Sequence, residues 1–211
     1  MDIKNLEKSM GIELENKDML ETAFTHRSYA NEKKIESNEK LEFLGDAILD
    51  LIVGEYLYRN YYKLKEGEMT KVRAAVVCEE SLYKIAEKHN FSDFLKLGKT
   101  EYVTNGSEKP AILADAVEAL IATIYLEMGM DKARDFVIEN LKDEIENASK
   151  NVGMKDYKTV LQEKLQVNGD VKINYKVTKE TGPDHDKTFD VEVEVNGEVV
   201  GRGTRKNKKS S

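Results

Sequence analysis

Hydrophobic residues recur every three or four positions through most of residues 1–147, which predicts a helical domain. The strongest such pattern starts at Asn38, a candidate N-cap residue, and ends near Arg59 or Asn60. Similar patterns predict helices over residues 70–89, 110–128 and 131–147, with a loop over residues 99–109. The stripe predicted to be buried on the helix that follows Asn38 consists of Leu41, Leu44, Ile48, Leu51 and Ile52.

A different period follows residue 147. Residues 148–155 predict a linker, and residues 157–166 predict one short helix. Valines and glutamates then alternate over residues 191–195, and Asn196-Gly197 is a strong hairpin signal. With residues 172–178 and 198–203 this predicts three antiparallel strands. We therefore expect an all-α domain over residues 1–147 and a small α+β domain over residues 156–211.

Composition narrows the functional classes. The 211 residues can form one large domain or two small ones, and the single cysteine excludes an intrachain disulfide. No apolar run approaches the length of a membrane helix, and no hydrophobic segment follows a basic start, so we expect a cytoplasmic protein. The net charge of −7 argues against a uniformly basic nucleic-acid binder. Residues 1–150 carry the acidic excess, whereas residues 151–211 are slightly basic.

Three carboxylates lie at spacings of three and four residues early in the helix that follows Asn38. Helical geometry places Glu39, Glu42 and Asp46 on one face, where like charges repel each other by a few tenths of a kcal/mol per pair. A hard metal ion would neutralise that repulsion. A solvated acidic face is the alternative interpretation of the same spacing.

A second carboxylate pair, Asp115 and Glu118, lies in the predicted helix over residues 110–128. Such a pair means little alone. Two packed helices could nevertheless bring two carboxylates each to one point, forming an oxygen-only cage suited to Mg²⁺ or Mn²⁺. The four residues of this predicted cage are Glu42, Asp46, Asp115 and Glu118.

These motifs occur together in one protein family. Residues 25–29 (Thr-His-Arg-Ser-Tyr) and 38–46 (Asn-Glu-Lys-Leu-Glu-Phe-Leu-Gly-Asp) closely resemble the signature of bacterial ribonuclease III. Residues 66–70 and 112–120 match further motifs of that family in the same order. Residues 156–159, 161–163 and 182–185 resemble its double-stranded-RNA-binding domain. The resemblance therefore covers nearly the whole chain.

The resemblance implies an endoribonuclease that hydrolyses double-stranded RNA with Mg²⁺, for which Mn²⁺ substitutes, leaving 5′-phosphate and 3′-hydroxyl ends. Precursors of rRNA and other structured transcripts are the implied substrates. By position, Glu42, Asp115 and Glu118 match metal ligands of the family. Asp46 matches the acid that places the attacking water, and Glu118 shares in that role. Glu39 and Glu66 match accessory carboxylates.

The resemblance also implies RNA contacts and a homodimer. Phe43 matches a residue that projects into a pocket of the partner subunit. A final helix follows the third strand in the family, so we expect the small domain to be truncated at its C-terminus. The residues matched to RNA binding are Thr159, Gln162, Glu163, Gln166, Pro183, His185, Lys187, Lys208 and Lys209.

Two other functional classes remain as alternatives. A catalytically silent RNA-binding maturation factor would use the small domain but would not need the four carboxylates. A helical Mg²⁺-dependent nucleotide pyrophosphatase would use the carboxylates but has no role for the Gly-Pro-Asp-His run at residues 182–185. Metal-dependent cleavage of duplex RNA would decide among them.

Overall fold

The computed structural model describes residues 2–152, 172–182 and 188–206. The chain divides into two compact units, Met1–Met154 and Lys155–Ser211. The helices described in the first unit are α1 (Ile3–Met10), α2 (Lys17–Ala23), α3 (Arg27–Lys33), α4 (Glu39–Asn60), α5 (Glu66–Val76), α6 (Glu79–Lys88), α7 (Lys99–Val103), α8 (Pro110–Met128) and α9 (Met130–Asn151).

Helix α8 is the centre of the first unit. Its residues from Ile112 to Ile124 are buried on almost every side, and it packs against α2, α4, α6 and α9. Pro110 starts the helix because its missing N–H and fixed φ suit the first helical position. Gly129 ends it with a φ of 84°. The prediction of this helix is confirmed at both ends.

Helix α4 lies along α8 and is apolar on two sides. Ile48, Leu49 and Ile52 are buried against the core. Phe43, Leu51 and Tyr58 are 80%, 57% and 77% exposed. The prediction that Leu51 is buried was therefore wrong, because α4 has a second apolar face that points away from α8.

The helices differ from the predicted ones in three regions of the chain. The helix predicted over residues 70–89 is two helices, α5 and α6, separated at Val77 and Cys78. The break lets α5 pack on α4 and α9 while α6 packs on α8. The predicted loop over residues 99–109 contains α7 and a short 3₁₀ turn, Gly106–Glu108. Helix α9 continues to Asn151, so the first residues of the predicted linker are helical.

The described part of the second unit is an antiparallel sheet in the order β1 (Ile173–Thr181), β2 (Thr188–Val195) and β3 (Glu198–Lys206). Asn196 and Gly197 join β2 to β3, and both have positive φ (53° and 90°), as the predicted hairpin requires. The three predicted strands are thus confirmed. The helix predicted over residues 157–166 lies outside the described residues.

None of the helices in the described ranges combines the length and the apolar character that crossing a membrane would require.

Candidate active site

The backbones of α4 and α8 come into close contact at Gly45. A Cβ atom added to Gly45 would lie 1.8 Å from the carbonyl oxygen of Glu118 and 2.4 Å from its carbonyl carbon. Only a residue without a side chain fits this contact. A glycine inside a helix costs about 1 kcal/mol relative to alanine, so its position within the long helix α4 is a sequence signal of such an approach. The contact places the carboxylates of α4 next to those of α8.

An open cleft of about 680 Å³ lies beside this contact. Glu39 and Glu42 of α4 and Asp115 of α8 form one part of its wall. The segment around the start of α3, the loop before α4 and the region around α7 form another part of the wall. The residues from these three regions are His26, Arg27, Ser28, Asn31, Asn38, Glu101 and Lys109.

Burial and mutual repulsion raise the pKa values of three of these carboxyls, Glu42, Asp115 and Glu118. Burial raises the pKa of Glu118 to about 8, and the charges of Asp46, Glu42 and Asp115 contribute to the increase. Burial also raises the pKa of Glu42, with contributions from Asp115 and Glu39, while Arg27 opposes the increase. The pKa of Asp115 is raised by burial and by Glu79, again against Arg27. The four predicted residues are therefore close enough for their charges to affect one another's pKa values or those of their neighbours.

The four carboxylates are not gathered around one point in the way that a bound metal ion would require. Across residues 2–152, 172–182 and 188–206, no three His, Cys, Asp or Glu side chains are arranged so that they could hold a metal ion. Ionised carboxylates at a half-buried site repel each other, which opposes their close approach. None of the four is in an ion pair with a described residue, and their oxygens are the ligands that Mg²⁺ prefers. The oxygen donors, with no ion-pair partner of their own, thus fit a divalent cation.

The accessory carboxylates are in different places. Glu39 is exposed, lines the cleft and accepts a hydrogen bond from Ser37 Oγ at 2.9 Å. Glu66 begins α5, accepts from Thr70 Oγ1 at 3.1 Å, and lines a separate groove beside α4. The structure therefore brings Glu39, but not Glu66, to the cleft.

The predicted RNA-binding residues cannot be compared with the sheet. The nine residues matched to RNA binding lie outside the described residues: Thr159, Gln162, Glu163, Gln166, Pro183, His185, Lys187, Lys208 and Lys209. Arg202 of β3 is described, and its Nε donates to Glu192 Oε1 across the sheet at 2.7 Å.

The prediction of α4's N-cap was right in position but wrong in chemistry. Asn38 precedes α4, yet its side chain makes no capping hydrogen bond. Instead it lines the cleft. The sequence also gave no functional role to His26, Arg27 or Lys109, although the first two belong to the recognised motif at residues 25–29.

We expect the stability of the protein without divalent cations to fall as pH rises. The Glu118 carboxyl has a pKa of about 8 in the folded protein against an ordinary value of 4.5, so it binds its proton more tightly in the folded state. Its stabilising contribution is complete below pH 4.5 and is lost as pH rises to about 8. Urea unfolding in EDTA should give a free energy of unfolding about 2 kcal/mol lower at pH 8 than at pH 6 from this group.

Glu118→Gln is the control for this pH dependence, because its amide does not titrate. In this variant, the free energy of unfolding should change little between pH 6 and pH 8. An equal decrease in both proteins would show that Glu118 titrates normally in the folded state.

Comparison with known families agrees with this division of the chain. The model of the Ribonuclease-III-like family matches residues 16–145. The model of the double-stranded RNA binding motif matches residues 157–211. Together these two matches span both units.

Similar proteins cover the whole chain. Ribonuclease 3 of Clostridium tetani is 48% identical over 212 residues, covering 100% of this chain and 90% of that protein. Ribonuclease 3 of Oceanobacillus iheyensis is 47% identical over 214 residues, covering 100% and 93%. A nuclease-domain structure of Ribonuclease III from Campylobacter jejuni is 44% identical with a TM-score of 0.64, covering 68% of this chain and 98% of that one. That structure was described for flexibility in a region involved in dimer formation.

Proposed function

Because the chain belongs to the ribonuclease III family, we propose that it is an endoribonuclease that hydrolyses double-stranded RNA with Mg²⁺. The observation that carries this proposal is the carboxylate cluster at the α4–α8 contact, joined in one chain to an RNA-binding motif. Products with 5′-phosphate and 3′-hydroxyl ends, from rRNA precursors and other structured transcripts, belong to the same proposal. This function would place the protein in the cytoplasm.

The residues of the cluster take different roles in this reaction. Glu42, Asp115 and Glu118 would hold the metal. When bound, Mg²⁺, or Mn²⁺ in its place, supplies positive charge that offsets the charge of the phosphodiester and lowers the pKa of a water molecule. Asp46 is exposed at the edge of the cluster, where its carboxylate can accept a hydrogen bond from the attacking water. Glu39 lies in the cleft as an accessory acid.

Metal binding also explains how an acidic domain could hold a polyanion. Without cations, the negative charges of the cleft repel phosphates. The raised pKa of Glu118 means that metal binding must displace a proton near neutral pH. We therefore expect cleavage to strengthen as pH rises towards 8, opposite in sign to the stability of the metal-free protein.

Incubation with long duplex RNA tests the proposal. We expect short duplex fragments with Mg²⁺ and intact RNA with EDTA, and ligation without prior phosphorylation would identify the 5′-phosphate ends. Intact RNA with Mg²⁺ but a retained gel shift would instead support the catalytically silent binding factor. Single-stranded RNA of the same sequence is the substrate control.

The second apolar face of α4 supports a homodimer. Phe43, Leu51 and Tyr58 lie within about a quarter turn of one another on the helix, so together they form one exposed apolar stripe. A dimer with twofold symmetry would cover the stripe of each subunit with the same surface of the other. The assembly is a proposal that this stripe supports.

Phe43→Ala is therefore expected to weaken the dimer. Loss of one large aromatic at an interface centre should raise the dimer dissociation constant by about 10- to 100-fold. Sedimentation velocity over a concentration series measures the change. Tyr102→Ala, which removes an exposed aromatic from α7, is the control and should leave the dimer intact. If the Phe43→Ala dimer is as stable as the wild-type dimer, Phe43 does not lie in the interface.

A further inference from the structure

The recognised motif at residues 25–29 has no role in the chemistry proposed above, yet it forms part of the cleft wall. Backbone hydrogen bonds hold it firmly in place. His26 N–H donates to the carbonyl of Lys96 at 3.1 Å, and Asn38 N–H donates to the carbonyl of Thr25 at 2.9 Å. The segment thus joins the loop before α4 to the loop before α7.

Hydrogen bonds with Ser28 determine which ring nitrogen of His26 carries the proton. Ser28 N–H donates to His26 Nδ1 at 3.3 Å, so Nδ1 is an acceptor. Ser28 Oγ lies 2.9 Å from the same nitrogen and accepts from Gly98 N–H at 2.9 Å, which leaves its own hydrogen free to point at Nδ1. The ring proton is therefore on Nε2. Burial lowers the pKa of His26, which favours this neutral form.

Asn38 supplies a second donor in the same wall. The side chain is only 2% exposed, and among the described residues its Nδ2 has no hydrogen-bond partner. A buried amide without a partner costs about 1–3 kcal/mol. Rotation about its terminal bond exchanges the positions of Nδ2 and Oδ1, so a ligand in the cleft can satisfy the donor.

Arg27 completes the set with a positive charge. Its side chain is exposed, lines the cleft, and is in no ion pair with a residue that the structure describes. Its charge nevertheless acts on the carboxyls of Glu42 and Asp115. The two neutral donors and this charge lie beside the carboxylates, on a wall that offers a phosphate group hydrogen bonds and attraction.

We propose that His26, Asn38 and Arg27 form a subsite for the phosphate of the nucleotide next to the scissile bond. The inference rests on the proposed function, because it presumes an RNA strand in this cleft. His26 Nε2–H and Asn38 Nδ2 donate to the non-bridging oxygens of that phosphate. Binding there sets the register of the strand, so that the neighbouring phosphodiester lies at the carboxylates.

Two substitutions of His26 separate this role from a structural one. His26→Asn keeps a group near Nδ1 that can meet Ser28 but removes the donor at the Nε2 position. His26→Gln keeps a donor near the Nε2 position but loses the contact with Ser28. We expect His26→Asn to lower kcat/KM on duplex RNA about tenfold, the worth of one good hydrogen bond, and His26→Gln to lower it by less than threefold. The reverse order would show that His26 serves only to hold Ser28.

Asn38→Ala provides an independent measurement. Because Nδ2 has no partner, the variant should retain a melting temperature near that of the wild type while kcat/KM falls about tenfold. A fall in melting temperature with unchanged kcat/KM would overturn the role of Asn38.

A substrate with one neutral methylphosphonate linkage next to the scissile bond tests the subsite directly. The wild type should cut this substrate more slowly than the all-phosphate duplex, and His26→Asn should show little further loss. Equal losses for His26→Asn on both duplexes would overturn the proposal. If the wild type cuts neither duplex, the proposed function fails. In that case the affinities of the wild type and of His26→Asn for the same two duplexes test the subsite. The methylphosphonate should weaken binding to the wild type and have little effect on binding to His26→Asn.

Discussion

Replacing Glu118 with glutamine is expected to abolish cleavage of duplex RNA while the fold and RNA binding remain. Burial raises the pKa of Glu118 to about 8, and the charges of Asp46, Glu42 and Asp115 add to the increase. Glutamine keeps the shape and one side-chain oxygen but cannot carry the negative charge that a divalent cation needs. The protein would lose a metal ligand without losing the α4–α8 contact, which uses the backbone of Glu118.

A decrease in kcat/KM of at least about 100-fold, the scale seen when one electrostatic group of an active site is removed, is the expected result. Initial rates on a labelled duplex give this value, and a gel shift with the same duplex in EDTA measures binding. Glu139→Gln, an exposed glutamate on α9, is the matched control and should cleave normally. If Glu118→Gln cleaves near the wild-type rate, Glu118 is not a metal ligand. Without metal, the variant should also be more stable than the wild type at pH 8.

Much of the fold follows from local patterns that the sequence displays. Pro110 and Gly129 mark the ends of α8, and the Asn196-Gly197 turn fixes the β2–β3 pairing through positive φ. Each of these signals acts over a few residues. The break between α5 and α6 has no such signal, because their separate packing partners cause it. Local periodicity alone therefore predicted one helix there.

The candidate site shows the same limit more sharply. Helical spacing predicted that α4 and α8 each bear carboxylates, and the structure places the four close enough to interact electrostatically. Spacing could not predict that Asn38 lines the cleft instead of capping α4, or that Glu66 lies in another groove. Both outcomes depend on contacts between residues distant in sequence. Glycine inside a helix was the one local sign of the close approach at Gly45.

That approach makes Gly45→Ala the most damaging small substitution we expect in the first unit. The added methyl group would meet the backbone carbonyl of Glu118 at 1.8 Å, and backbone atoms inside a packed helix cannot rotate aside. The helices α4 and α8 would have to separate at the level of the carboxylates. We expect a loss of about 3 kcal/mol or more in the free energy of unfolding, despite the higher helix propensity of alanine.

Separation of the helices should also disable the site in molecules that remain folded. A shift of about 1 Å between ligands is enough to reduce activity by about 100-fold. Urea unfolding and initial cleavage rates below the unfolding transition measure the two effects separately. Gly67→Ala is the control, because nothing lies within 4 Å of its added methyl group on α5, and it should be neutral or slightly stabilising. A Gly45→Ala protein as stable and active as this control would mean that the two helices do not touch at Gly45.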